Sequence, residues 1–101
     1  MADELDELLA RLWPDAKRSA HASLDAVDAA TSAPDDASMA LAREETHKLV
    51  GALGMYGSEE GAALARRLDD LVVAGALADE GGRDEVSALV ARLRDALEAD
   101  R

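Results

Sequence analysis

Cysteine is absent from the 101 residues, which excludes disulfides and thiolate metal sites in any compartment. Phenylalanine and isoleucine are missing too, and tryptophan and tyrosine occur once each. So little aromatic surface leaves few platforms on which nucleic-acid bases could stack. Positive charge is scarce as well: 11 Lys and Arg stand against 22 Asp and Glu, for a net charge of −11. Phosphate backbones and anionic lipid surfaces both demand a basic face, so neither nucleic acid nor membrane is an expected partner. No apolar run approaches the ~20 residues that span a bilayer. The opening Met-Ala-Asp-Glu is acidic where a secretory signal would be basic, so a cytoplasmic location is the default expectation. Strong net charge favours solubility, and a monomer is expected. Strands are not expected either, because no stretch alternates with β-branched or aromatic enrichment.

What is present is a helix composition. Alanine and leucine dominate the apolar set and only two prolines occur. Leu5, Leu8, Leu9 and Leu12 repeat at spacings of three and four and predict a short amphipathic helix over 3–12. Pro14 is expected to stop it and to open a second helix running to about Ala30, with Ala16 or Ala20, Leu24, Val27 and Thr31 on its buried side. Trp13, at the joint, is read as a plug for one end of the bundle. Residues 31–36 form a linker and helix start, and a helix is predicted from about Pro34 to Tyr56, stopped by Gly57. Ser58 then caps a helix carrying Leu64, Ala65, Leu68, Leu71 and Val72. That helix is expected to fray from Gly75 to Asp79, with a turn at Gly81-Gly82. The last helix is predicted from about Asp84 to Ala99, on Val86, Leu89, Val90, Leu93 and Leu97. One domain over 1–101 follows: an all-α, antiparallel up-down-up-down four-helix bundle with a short extra N-terminal helix.

His47 is the residue with distinctive surroundings. On a helical wheel Met39, Ala42, Thr46, Leu49, Leu53 and Tyr56 form the apolar stripe, and His47 falls well away from its centre. The residues above and below it are Ala40, Arg43, Gly51 and Gly54, three of them small. Glycine costs ~1 kcal/mol against alanine inside a helix, so two glycines beside one outward histidine call for a reason. Close approach of a partner supplies one.

The run His47-Lys48-Leu49-Val50-Gly51-Ala52-Leu53-Gly54-Met55-Tyr56-Gly57, followed by Leu64, Leu68 and Asp69, resembles the histidine-containing phosphotransfer (HPt) domains. The resemblance implies a phosphorelay carrier that accepts a phosphoryl group on His47 and passes it on. It implies response-regulator receiver domains or a hybrid histidine kinase as partners. The chain itself would need no cofactor, Mg²⁺ being expected only in the partner receiver. Many family members carry lysine where this chain has Val50. Arg43, one turn before His47, is then the best-placed local cation, since a guanidinium offers paired donors to phosphate oxygens. Lys48 is the rival, but Glu44 lies four residues before it and predicts a surface ion pair. Arg66 and Arg67 on the next helix are further candidates. Ala40, Val50, Gly51 and Gly54 form the expected docking patch.

The remaining motifs are bland. His21 is read as a solvated surface residue, with no metal-ligand spacing to His47. Gly51-x-x-Gly54-x-x-Gly57 follows no strand and is not a nucleotide loop. The size and motifs of a kinase core are lacking, so the chain is expected not to be an enzyme and not to phosphorylate itself from ATP. A bundle of the same shape that binds a receiver domain or another signalling partner without being phosphorylated is the alternative, and Val50 is the feature that favours it.

Overall fold

The computed structural model describes residues 2–56 and 58–99, and every regular element among them is helical. Helix α1 covers Ala2–Ser32, α2 Asp36–Tyr56, α3 Glu59–Val73 and α4 Glu80–Ala99, with one 3-10 turn at Ala76–Ala78 before α4. Each helix packs on the next, and α4 packs back on α1. The result is a four-helix bundle around one core in which Leu24, Leu49, Leu53, Leu68, Leu93 and Leu97 are fully buried. The predicted stripes are the ones that fill it: Ala42, Thr46, Leu49 and Leu53 on α2, and Val86, Leu89, Val90, Leu93 and Leu97 on α4.

Helix starts follow the side chains that can satisfy free backbone N–H groups. The Asp35 carboxylate accepts from the Ser38 N–H at 2.8 Å, so α2 begins at Asp36 rather than at Pro34. The same bond is the main cause holding the Asp35 carboxyl below its ordinary value. Ser58 caps α3 by accepting from the Gly61 N–H at 3.0 Å. Asp79 does the same for α4, through the Gly82 N–H at 2.7 Å. Gly57, the expected stop of α2, lies outside the described residues.

Three expectations fail, each for a packing reason. The separate N-terminal helix does not exist as such, because α1 runs unbroken through Pro14. Pro14 withholds one N–H from the ladder, yet Ala10, whose carbonyl loses that partner, is exposed to solvent. Trp13 is buried on one side of Pro14 and Ala16 packs on the core just after it, which anchors the helix as it continues. The segment from Gly75 to Asp79 does not fray. Leu77 is buried there, and Gly75 reverses the chain with a left-handed φ of 91°. Gly81-Gly82 is not a turn but the first turn of α4. A Cβ at Gly82 would collide with the Ala76 carbonyl, so glycine is what lets the 3-10 turn lie against α4.

At ~1.5 Å per residue the 31 residues of α1 span about 46 Å, matching the 47 Å long axis of the molecule. Burial along α1 begins at Trp13. Upstream of it, Leu5, Leu8 and Leu12 are 55, 46 and 39 % exposed, so the N-terminal leucine stripe is not part of the core.

Candidate functional site

Thr46 sets the base of the site. Its side chain is fully buried, with Oγ1 2.7 Å from Asp69 Oδ1 on α3 and 3.2 Å from the Arg43 carbonyl. The hydroxyl has one proton to donate, and the shorter contact to a carboxylate takes it. The backbone immediately before His47 is therefore tied to the neighbouring helix through a side-chain bond in the interior. Leu49, two residues later, is buried in the core. Between these two anchors the helix can present His47 only outward.

The His47 side chain is exposed and makes no hydrogen bond or ion pair with the described residues. Ala40, Arg43, Gly51 and Gly54 are exposed on the same helix, as the wheel predicted. A Cβ built at Gly51 or at Gly54 would meet nothing within 4 Å. Neither glycine is needed to let another part of this chain come close. Val50 differs from the rest of the expected docking patch. It is half-buried and packs against the core, so it forms the inner margin of the face rather than its surface.

The cations around His47 divide into committed and uncommitted ones. Lys48 Nζ lies 3.0 Å from Glu45 Oε2 and 3.8 Å from Glu44 Oε1, which raises its pKa, chiefly through the Glu45 bond. Glu45 is in turn held by Ser23 of α1 at 2.8 Å, and its own carboxyl is lowered by Lys48 first and Ser23 second. The ion pair expected with Glu44 is present, but Glu45 is the stronger partner. Arg43 makes no ion pair with the described residues; it lines a small pocket with Met39, Val72, Gly75, Leu77 and Ala78. Arg66 of α3 lines an open groove with Leu53, Gly54, Ser58 and Ala62, and is likewise without an ion pair among the described residues. Arg67 is exposed on α3. Arg43, Arg66 and Arg67 are thus without an ion pair among the described residues, one on His47's own helix and two on α3, where Arg66 lies beside Gly54.

His21 corrects the reading of a solvated surface residue. It is half-buried between α1 and α4, with Nε2 2.9 Å from Glu98 Oε2 and Nδ1 3.1 Å from Arg94 Nη1. A guanidinium can only donate, so Nδ1 accepts and Nε2 carries the proton given to Glu98. Arg94 also reaches Asp25 at 2.7 Å and Asp28 at 3.4 Å, and Lys17 reaches Glu98 at 3.4 Å. Asp25 is the main cause raising the Arg94 pKa. Both ring nitrogens of His21 are engaged, while those of His47 are free. The seam was invisible in sequence because its partners lie 66 to 81 residues apart.

Among the described residues no group of three or more His, Asp or Glu side chains is placed to hold a metal ion. No described helix is long and apolar enough to cross a membrane. No protein-family model, curated protein or solved structure matches the chain.

Proposed function

We propose that this protein is an HPt-type phosphocarrier that takes a phosphoryl group on His47 from a receiver aspartate or a kinase domain and hands it to a response-regulator receiver. One observation supports the reading above the others. An exposed, uncommitted histidine stands beside two helical glycines whose missing side chains leave open space. Helix stability is sacrificed there without any return inside the fold, which is intelligible if a partner's active site must close over the ring.

The transfer asks little of this chain. The unprotonated ring nitrogen attacks the aspartyl-phosphate phosphorus in line, the N–P bond forms, and the aspartate carboxylate leaves with the electrons of the broken P–O bond. The chain's task is to hold the ring outward at a fixed height, as the Thr46–Asp69 bond does. The incoming charge lands on a protein already at −11, and Arg43, Arg66 and Arg67, none of them ion-paired with a described residue, are the guanidiniums the chain could draw on to offset it. The partner receiver brings the attacked aspartate and its Mg²⁺. No autokinase activity is part of this reading, and a cytoplasmic location is. The up-down-up-down order belongs to it as well. Along the α1–α4 seam, Lys17 and His21 meet Glu98 while Asp25 and Asp28 meet Arg94, as oppositely directed helices require.

The decisive experiment is incubation with a phosphorylated receiver domain. Acid-labile, base-stable phosphate is expected on the chain, absent in His47→Gln and retained in His21→Gln. A receiver that binds the chain but leaves no label would instead select the non-phosphorylated interaction module, for which Val50 speaks. Label on His21 would overturn the assignment.

A further inference from the structure

The first three turns of α1 carry four leucines, three of them more than a third exposed, on a stretch that reaches past the point where burial begins. The other large apolar residues left exposed, Leu41, Met55 and Val73, do not share this stretch. The charges along it are sorted by sign. Asp3, Glu4, Asp6 and Glu7 occupy the first two turns, and Arg11 follows. None of these five makes an ion pair with a described residue, although Glu7 and Arg11 stand four apart, the spacing at which such pairs form. Glu4, Leu8 and Arg11 lie on one ridge and, with Leu5 and Glu7, line a shallow open groove.

We infer that this stretch is a self-association surface whose occupant is the same stretch of a second copy, lying antiparallel to it. The charge order argues for that occupant and that direction. A two-fold axis across the leucine stripe brings the acidic turns of one copy against Arg11 of the other, twice over, with leucine facing leucine between them. The parallel arrangement would stack the acidic turns of both copies on each other. An acidic or a basic foreign helix would complement only one end of the stretch, whereas its own antiparallel copy sets opposite charge against each end, one arginine facing the acidic turns. Two helical stretches about 16 Å long bury less than the roughly 1,000 Å² of a stable interface, and each copy brings a net −11, so the association is weak and reversible. It departs from the monomer expected of so acidic a chain, and it is independent of the chemistry proposed at His47.

Sedimentation equilibrium from micromolar to millimolar protein tests it. The wild-type mass is expected to rise from monomer to dimer over that range. Leu8→Glu should remain monomeric throughout with unchanged helicity and melting, because Leu8 supports no core. Arg11→Glu should weaken association several-fold, and adding Glu4→Arg and Glu7→Arg to it should restore it. The absence of native cysteine gives a second readout of direction: Glu4→Cys mixed with Arg11→Cys should form the mixed disulfide faster than either forms its own. His47→Gln should associate as wild type does. A chain that stays monomeric to millimolar concentration would overturn the proposal. So would dimers that persist in Leu8→Glu, preferred like-with-like disulfides, or a stripe that partitions onto neutral phospholipid vesicles, read by co-sedimentation that Leu8→Glu abolishes, in place of dimerising.

Discussion

Gly82 and Gly51 both lie inside helices, and the fold treats them in opposite ways. At Gly82 a Cβ would run into the carbonyl of Ala76, where the 3-10 turn folds back on α4. Nearby Gly75 holds a φ of 91°, which a side chain would oppose. At Gly51, and at Gly54 one turn on, a Cβ would meet nothing within 4 Å. Close backbone contact accounts for glycine at the α3–α4 corner. It has no use for glycine on the outer face of α2, where each costs ~1 kcal/mol of helix stability. Glycine in a sequence therefore carries two different messages. The corner residues are part of how the chain folds; packing does not account for the α2 residues, and under the proposed function they are part of what a partner meets.

The strongest way to break this contrast is at the corner. Gly82→Ala is expected to destabilise by roughly 1–3 kcal/mol, because backbone must move to admit the methyl group. In a domain of this size that lowers the melting temperature by about 4–8 °C per kcal/mol. Urea melts that show no loss would mean that the 3-10 turn can shift freely.

Gly51→Leu should change stability with the opposite sign, by up to about 1 kcal/mol in favour of folding, since it adds a better helix former in open space. The same variant should lose phosphotransfer from a receiver. Unimpaired transfer rates would remove the docking argument, while a large loss of stability would show that the face is not open.

A smaller effect is expected at the cations. Arg43→Ala should slow labelling of His47, or shorten the lifetime of the phosphohistidine, several-fold. Lys48→Ala should do neither, because Lys48 is already engaged by Glu45 and Glu44. Equal and negligible effects would assign the stabilising charge to the partner, or to Arg66 beside Gly54.

The smallest effect concerns the two histidines' surroundings. The Glu98 carboxyl is held below its ordinary value of 4.5, first by the His21 bond and then by Lys17. A carboxylate depressed in the folded state adds stability that is complete above 4.5 and lost as pH falls below it. His21→Gln or Glu98→Gln should flatten that part of the acid limb slightly, the seam being exposed enough for solvent to screen it. His47→Gln should leave the limb as it is. An unchanged profile in both seam variants would mean that the seam contributes nothing measurable.

Much of this was legible beforehand because it is periodic or local. The stripes of α2, α3 and α4 point inward at every fully buried leucine they carry, and Ser58 caps α3 as its position suggested. The wheel also placed His47, Ala40, Arg43, Gly51 and Gly54 on the outside. Failures came where a local rule met a contact from far along the chain. Pro14 reads as a break, but packing at Trp13 and Ala16 carries the helix through it. Gly81-Gly82 reads as a turn, but the approach of Ala76 makes the second glycine a helical packing residue. His21 reads as solvated, because nothing near it in sequence announces Arg94 and Glu98.

Composition and spacing by themselves determined that the chain is helical and which face of each of α2, α3 and α4 is buried. They also determined that His47 stands outside the core. Those properties depend on the 3.6-residue repeat and on transfer of apolar side chains from water, both of which operate over a few residues. Only the tertiary structure decided that α1 is one helix whose leucine end stands beyond the core, and that His21 is locked in a seam while His47 is free. It alone distinguished the glycines that packing requires from those it leaves open. These depend on which distant segments come within a few ångströms of each other, and local spacing does not encode that distance.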